Sequence, residues 1–161
     1  MKTLIVYYSM GGNTALAAKK AAEALGADTL EIKPDKAYPD KGLRKFLWGG
    51  KSAVMAETPA LQPCAFHPED YEQIILGFPV WAANIAPPLR TFVRDNLEAL
   101  KTKRLAAFAC QSGSGGEKAL QRLADLLAPA ALTAQTVLID PRDRPGKDNE
   151  SRLKGFCEQC R

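Results

Sequence analysis

Short apolar runs alternate along the chain with longer segments in which apolar residues recur every three or four positions. The short runs are typical of buried β-strands, and the longer segments are typical of helices that pack on a sheet. The predicted strands are Thr3–Tyr8, Thr29–Ile32, Gln73–Phe78, Leu105–Ala109 and Ala134–Ile139. The predicted helices are Asn13–Leu25, Leu43–Met55, Pro87–Leu100, Glu117–Leu127 and Glu150–Cys160. Strands that alternate with helices predict a parallel sheet covered by helices on both faces.

The chain length is that of one domain, and we predict a single α/β domain over residues 1–161. A chain of this size buries roughly 70% of the surface that it exposes when unfolded. Right-handed crossovers between the strands would then produce a doubly wound, three-layer sandwich. The segments Pro34–Tyr71 and Pro141–Asn149 are predicted to be less regular, the second of them as a loop.

Composition and charge narrow the classes of protein that fit. No apolar run approaches the roughly 20 residues of a membrane-spanning helix, and the N-terminal apolar run is too short for a signal peptide, so we expect a cytoplasmic protein without membrane insertion. Four cysteines fit a reducing compartment. The net charge of +4 indicates a solvated basic surface or attraction to an anionic partner or cofactor. Nucleic acid is not expected as a partner, because no basic-aromatic recognition motif occurs.

The most specific pattern lies where the first predicted strand meets the first predicted helix. We call this segment the phosphate loop; it consists of Ser9, Met10, Gly11, Gly12, Asn13 and Thr14. Small residues let a ligand approach the backbone, and Ser9 and Thr14 provide hydroxyl groups. The N-terminus of the following helix adds free N–H groups and a positive dipole end. The segment therefore predicts a phosphate site.

Other motifs for phosphate binding or catalysis are incomplete. Residues 49–52 resemble the end of a triphosphate-binding loop, but Lys45 stands where that motif needs a glycine. Lys118 similarly occupies the last glycine position of a dinucleotide fingerprint. We interpret His67, the single histidine, as a surface loop residue rather than a catalytic base.

Cys157 and Cys160 lie in the final predicted helix, separated by two residues. Redox pairs with this spacing normally open a helix after a strand, and a zinc site would need further ligands. We therefore expect a structural arrangement, with one thiol packed and one exposed, and leave any further role open. No metal site is predicted.

Two further loops follow the third and fourth predicted strands and should reach the same edge of the sheet as the phosphate loop. The second loop, Gly77–Pro88, begins Gly-Phe-Pro-Val-Trp and ends Ala-Pro-Pro; the third loop is Ala109–Gly116. With Ser9-x-x-Gly12-Asn13-Thr14, these motifs make the chain resemble the flavodoxin family over nearly its whole length. The resemblance implies a five-stranded parallel sheet in the order 2-1-3-4-5, with flavin mononucleotide (FMN) at the edge where the strand order reverses.

The resemblance also assigns roles to individual residues. The phosphate loop would hold the FMN phosphate, and Trp81 would pack on the isoalloxazine ring. Backbone contacts near the reactive flavin nitrogen would come from Pro79, Val80, Ala82, Ala83 and Asn84. The pyrimidine side would be lined by Cys110, Gln111, Ser112 and Gly113. No catalytic side chain is predicted.

Three functions fit these motifs. An electron carrier would pass electrons through non-covalent FMN to a redox partner protein, and the short single-domain form favours it. A small reductase would take hydride from NAD(P)H for a quinone or similar small acceptor; the glycine-rich third loop, which lacks the stacking tyrosine of many carriers, leaves room for that second molecule. A flavodoxin-like binding module without flavin is the third, since Gly11 replaces the threonine usual in the family.

Overall fold

The computed structural model describes residues 1–38 and 57–161. Its strands are β1 (Thr3–Tyr7), β2 (Asp28–Glu31), β3 (Gln73–Trp81), β4 (Asn84–Ile85), β5 (Arg104–Gln111) and β6 (Leu132–Ile139). Its helices are α1 (Asn13–Leu25), α2 (Pro87–Asp95), α3 (Leu97–Leu100), α4 (Gly116–Leu127) and α5 (Lys147–Gln159), with a 3₁₀ turn at Pro68–Asp70. The predicted helix Leu43–Met55 and the glycine pair near residue 50 lie outside the described residues.

The central sheet has the strand order β2-β1-β3-β5-β6, and all of these neighbours are parallel. The short strand β4 pairs antiparallel with the end of β3 and stands outside that path. Without β4, the order is 2-1-3-4-5, and the predicted flavodoxin-like topology is confirmed.

Each inner strand contributes side chains to two hydrophobic cores, because successive residues of a strand point to opposite faces. Ile5, Ile75 and Ala106 are register partners in one core, which α1 and α5 cover. The next residues along the same strands belong to the other core, which α2 and α4 cover; they are Val6, Leu76 and Ala107. Burial on both faces explains why these strands are continuous apolar runs rather than alternating ones.

The predicted helix Pro87–Leu100 is interrupted. Asn96 has a φ of −119°, which is outside the helical range, and its side-chain amide donates to the Phe92 carbonyl at 2.8 Å. The same carbonyl accepts the Asn96 backbone amide at 3.1 Å, so that Asn96 ends α2 with two hydrogen bonds and α3 begins at the next residue, Leu97. The end of the predicted strand Gln73–Phe78 also differs, because β3 continues to Trp81 by pairing with β4.

The C-terminal helix begins at Lys147, three residues before the predicted start, and shortens the preceding loop. Cys157 and Cys160 are both buried, with 3% and 1% of their surfaces exposed, so the expectation of one exposed thiol is wrong. Both pack into the core beneath α1 and α5. His67 is exposed in a loop, as predicted.

Two kinds of feature are missing from the described part of the chain. None of its helices is long and apolar enough to cross a membrane. No group of three or more His, Cys, Asp or Glu side chains within residues 1–38 and 57–161 could hold a metal ion.

Candidate cofactor-binding site

A cavity of about 350 Å³ opens where β1, β3, β5 and β6 end. Most predicted site residues line it: Ser9, Met10, Gly11, Asn13, Thr14, Pro79, Val80, Trp81, Ala82, Cys110, Ser112 and Gly113. Ser114 and Asp140 line it as well and were not predicted. Asp140 directly follows β6, so the strand-end rule that selected the other loops applies to it too. Four loops meet at this cavity, the fourth being residues 140–146.

The remaining predicted residues lie outside the cavity lining and shape the loops. Gly12 starts α1, and Ala83 forms part of a turn that packs on Gly115. The buried Asn84 side chain accepts hydrogen bonds from the Ile85 amide at 2.9 Å and from Arg90 at 2.7 Å. Gln111 supports the third loop through side-chain hydrogen bonds to Gly113 and Gly116.

The phosphate loop presents unpaired backbone donors at the start of α1. The Ser9 hydroxyl accepts the Ala15 amide at 3.1 Å, which places it inside the loop. Gly12 adopts the left-handed conformation, with a φ of 92°, and its carbonyl accepts the Leu16 amide. Hydrogen bonds within the described residues leave the N–H groups of Gly12, Asn13 and Thr14 without acceptors. Such a cluster of donors at a helix N-terminus binds an anion.

The second loop is a tight β-hairpin. Val80 pairs with Ile85 and Trp81 with Asn84, leaving Ala82 and Ala83 as the two turn residues. Their φ angles are 49° and 56°, as in a type I′ turn, although neither residue is glycine. The Trp81 ring makes edge contacts with Tyr8 and Tyr38 at centroid distances of 5.7 and 5.3 Å. These contacts fix the indole at the cavity mouth.

The hairpin turn leads to a prediction about stability. An alanine in the left-handed region costs about 1–2 kcal/mol, whereas glycine adopts it without that cost. We expect Ala82→Gly to stabilise the protein by about 0.5–1 kcal/mol in urea unfolding, since the flexibility of glycine offsets part of the gain. Ala24→Gly, at an exposed position in the last turn of α1, is the matched control and should destabilise by up to about 1 kcal/mol. A loss of stability in Ala82→Gly would contradict the turn geometry.

The third loop is organised by the buried side chain of Gln111. Its carbonyl oxygen accepts the Gly116 amide at 2.7 Å, and its amide donates to the Gly113 carbonyl at 3.1 Å. Ser112 donates to the Asp140 carboxylate at 2.8 Å, which joins the third and fourth loops. Asp140 also forms an ion pair with Arg144 at 3.2 Å. The loop is therefore held in shape by its own polar side chains.

Two buried groups beside the cavity stay protonated at neutral pH. Burial raises the pKa of the Cys110 thiol to about 12, with a smaller opposing effect from its hydrogen bond to Thr14. Burial also raises the pKa of the Tyr8 phenol. Of the described residues lining the cavity, only Asp140 carries a charge at neutral pH. The cavity thus combines walls that are uncharged except at Asp140 with a loop suited to bind an anion.

Known proteins share this architecture. A flavoprotein from Lactobacillus acidophilus NCFM, solved in complex with FMN, is 18% identical, with 96% of this chain and 97% of that chain covered and a TM-score of 0.76. A flavodoxin from the domain Archaea is 18% identical over 98% and 94% of the two chains, with a TM-score of 0.57. A flavodoxin from Streptococcus pneumoniae TIGR4 is 15% identical over 99% and 97%, with a TM-score of 0.56.

No curated protein sequence matches the chain. The family model described as Flavodoxin matches residues 2–148, which include every loop of the cavity. The sheet order and this match lead to one conclusion: the chain belongs to the flavodoxin family.

Proposed function

We propose that this protein binds FMN non-covalently in the four-loop cavity and transfers electrons through it to a redox partner protein. The observation that carries the proposal is the meeting of an anion-binding loop, an aromatic side chain and a polar loop around one cavity. A flavin mononucleotide has the matching parts, namely a phosphate, a flat ring and a polar pyrimidine edge. The cavity volume is also in the range of small-molecule sites.

The residues present fit each part of the cofactor. The unpaired amides at the start of α1, with the buried Thr14 hydroxyl, would hold the phosphate. Trp81 offers a large apolar face to the ring. The hydroxyls of Ser112 and Ser114 and the backbone of the third loop would meet the polar edge. The carboxylate of Asp140 would accept hydrogen bonds from hydroxyl groups.

The protein contributes binding, orientation and electrostatics, and the cofactor supplies the redox chemistry: a bound flavin takes up and releases electrons in one- or two-electron steps. The neutral Cys110 thiol adds no negative charge beside the ring site. Asp140 adds a fixed negative charge to the cavity wall and so opposes the accumulation of negative charge there.

A fluorescence titration tests the binding proposal. We expect the apoprotein to quench the fluorescence of FMN with one-to-one saturation, because Trp81 would pack on the ring in the proposed site. Riboflavin, which lacks the phosphate, should bind more weakly because it leaves the phosphate loop empty. A preparation that stays colourless and leaves FMN fluorescence unchanged would overturn the proposal and favour a binding module without flavin.

An NAD(P)H-dependent reductase is the second candidate. It is favoured by the third loop, whose cavity-lining residues Cys110, Ser112, Gly113 and Ser114 include no aromatic side chain that would cover the flavin. A second planar molecule, such as a nicotinamide or a quinone, would have space there. Rapid bleaching of the FMN-loaded protein by NADPH without oxygen would favour the reductase. A slow reaction, with well separated one-electron potentials, would favour the carrier.

A further inference from the structure

Arg142 reaches across from the fourth loop to the phosphate loop. Its guanidinium donates to the Gly11 carbonyl at 2.7 Å. It also lies against Gly12, where an added Cβ atom would clash with the guanidinium group. The contact joins residues 131 positions apart in the chain. The phosphate loop itself contains no basic residue.

The side chain of Asn13 adds further hydrogen bonds between the fourth loop and the phosphate loop. Its carbonyl oxygen accepts the backbone amides of Arg142 at 2.8 Å and Asp143 at 3.3 Å. Its amide group donates to the Asp143 carboxylate at 2.9 Å. Asp143 also forms an ion pair with Arg142 at 3.4 Å. The loop after β6 therefore holds both the backbone and a side chain of the phosphate loop.

Arg142 brings a positive charge into contact with the phosphate loop, whereas the neighbouring Arg144 pairs with Asp140. Arg142 is the one cationic side chain that hydrogen-bonds to the phosphate loop within the part of the chain that the structure describes. Asp140, in contrast, adds a negative charge to the cavity wall. A phosphate bound by neutral amides, in a cavity that also contains a carboxylate, gains from a cation that contacts its loop.

We propose that Arg142 is a positioning residue for phosphate recognition, which holds the Gly11 peptide in place and makes the cavity select a phosphorylated flavin over its unphosphorylated form. This inference rests on the proposed FMN binding. Arg142 acts through the Gly11 carbonyl and through its field, so it need not contact the phosphate. Its exposed position makes its replacement compatible with folding.

The test compares flavin binding by Arg142→Gln, Arg142→Lys and a matched control. The control is Arg152→Gln in α5, because Arg152 also pairs with an aspartate and donates to a backbone carbonyl, but away from the phosphate loop. We expect Arg142→Gln to raise the Kd for FMN about tenfold and the Kd for riboflavin less than about threefold. Arg142→Lys, which keeps the charge, should recover part of the loss. Arg152→Gln should bind both flavins as the wild type does.

The pH dependence separates a charge effect from a purely structural one. A phosphate monoester gains its second negative charge at a pH of about 6. The ratio of the FMN Kd of Arg142→Gln to that of the wild type should therefore rise between pH 5 and pH 7.5 and shrink in high salt. A structural role would weaken FMN and riboflavin equally, at all pH values, and would overturn the inference.

The same experiment distinguishes the failure of this inference from the failure of the proposed function. Wild-type protein that binds neither FMN nor riboflavin would overturn both. Wild-type protein that binds FMN, together with an Arg142→Gln variant of unchanged FMN affinity, would overturn only the role of Arg142. Circular dichroism and urea unfolding of each variant show whether a loss of binding reflects a loss of fold.

Discussion

Gly12→Ala is expected to weaken FMN binding about 30-fold while leaving the protein folded. Gly12 has a φ of 92°, and an alanine there would favour a different backbone conformation in the free protein by about 1–2 kcal/mol. FMN binding would then have to restore the strained conformation. The added Cβ would also displace the Arg142 guanidinium from the Gly11 carbonyl. Together these effects amount to about 2 kcal/mol, or about 30-fold in the Kd.

Gly26→Ala is the matched control for this prediction. Gly26 ends the helix that Gly12 begins, and it has a positive φ of 62° with open space around it. The same substitution should therefore lower the free energy of unfolding by about 1–2 kcal/mol without changing the Kd for FMN. Fluorescence titration measures the Kd for FMN, and urea unfolding measures the free energy of unfolding. Equal FMN affinities for the two variants would place the phosphate away from Gly12.

Gly77→Ala is expected to destabilise the protein by about 3 kcal/mol, the largest effect that we predict on stability. Gly77 lies within β3, between β1 and β5, where an added Cβ atom would clash with the Phe108 ring. Phe108 is fully buried and packs against Phe156, with ring centroids 6.1 Å apart, so it has little room to move. The strand or the ring must shift, and both changes disturb close packing.

Two comparisons test the cause of this destabilisation. Gly155→Ala, in the helix α5 with nothing within 4 Å of the new Cβ, should instead stabilise by about 0.5–1 kcal/mol. Phe108→Leu removes the obstructing ring atoms, so the double variant should be about 1–2 kcal/mol more stable than the sum of the single effects predicts. Urea unfolding of the wild type, Gly77→Ala, Phe108→Leu and the double variant measures the coupling. Additive effects would show that the Phe108 ring is not the obstacle.

The packing around Gly77 is linked directly to the phosphate loop. The Gly77 carbonyl accepts the Tyr8 amide at 3.1 Å, immediately before the phosphate loop. A shift of β3 at Gly77 therefore also moves the start of that loop. We expect Gly77→Ala to weaken FMN binding in addition to its effect on unfolding.

Much of the fold was predictable because its determinants are local. The apolar run of β1 is followed by Gly11 and Gly12, and these residues indicate a buried strand and a tight turn whatever surrounds them. The alternation of strands and helices then permits few topologies, since crossovers are right-handed. The interruption at Asn96 was missed because the Phe92–Leu100 stretch keeps helical periodicity across the break.

The candidate site also contains some features that local sequence patterns predict and others that they do not. Ser9, Thr14 and Trp81 were found from the sequence because they lie in motifs a few residues long. The hairpin form of the second loop could not be predicted, because its strand pairing needs Ala82 and Ala83 at positive φ, which alanine does not indicate. Asp140 was not predicted as a site residue, because a single acidic residue after a strand forms no distinctive pattern.

The sequence by itself determined the strand-loop-helix unit that forms the phosphate loop, the family of the fold and the edge of the sheet where a ligand binds. These features depend on short-range periodicity, glycine placement and the geometry of parallel strands. Only the tertiary structure brought Arg142 and Asn13 together and placed Asp140 against Ser112. Such contacts join residues distant in the chain, and no local pattern encodes them, because the parallel sheet aligns the ends of strands that are far apart in sequence.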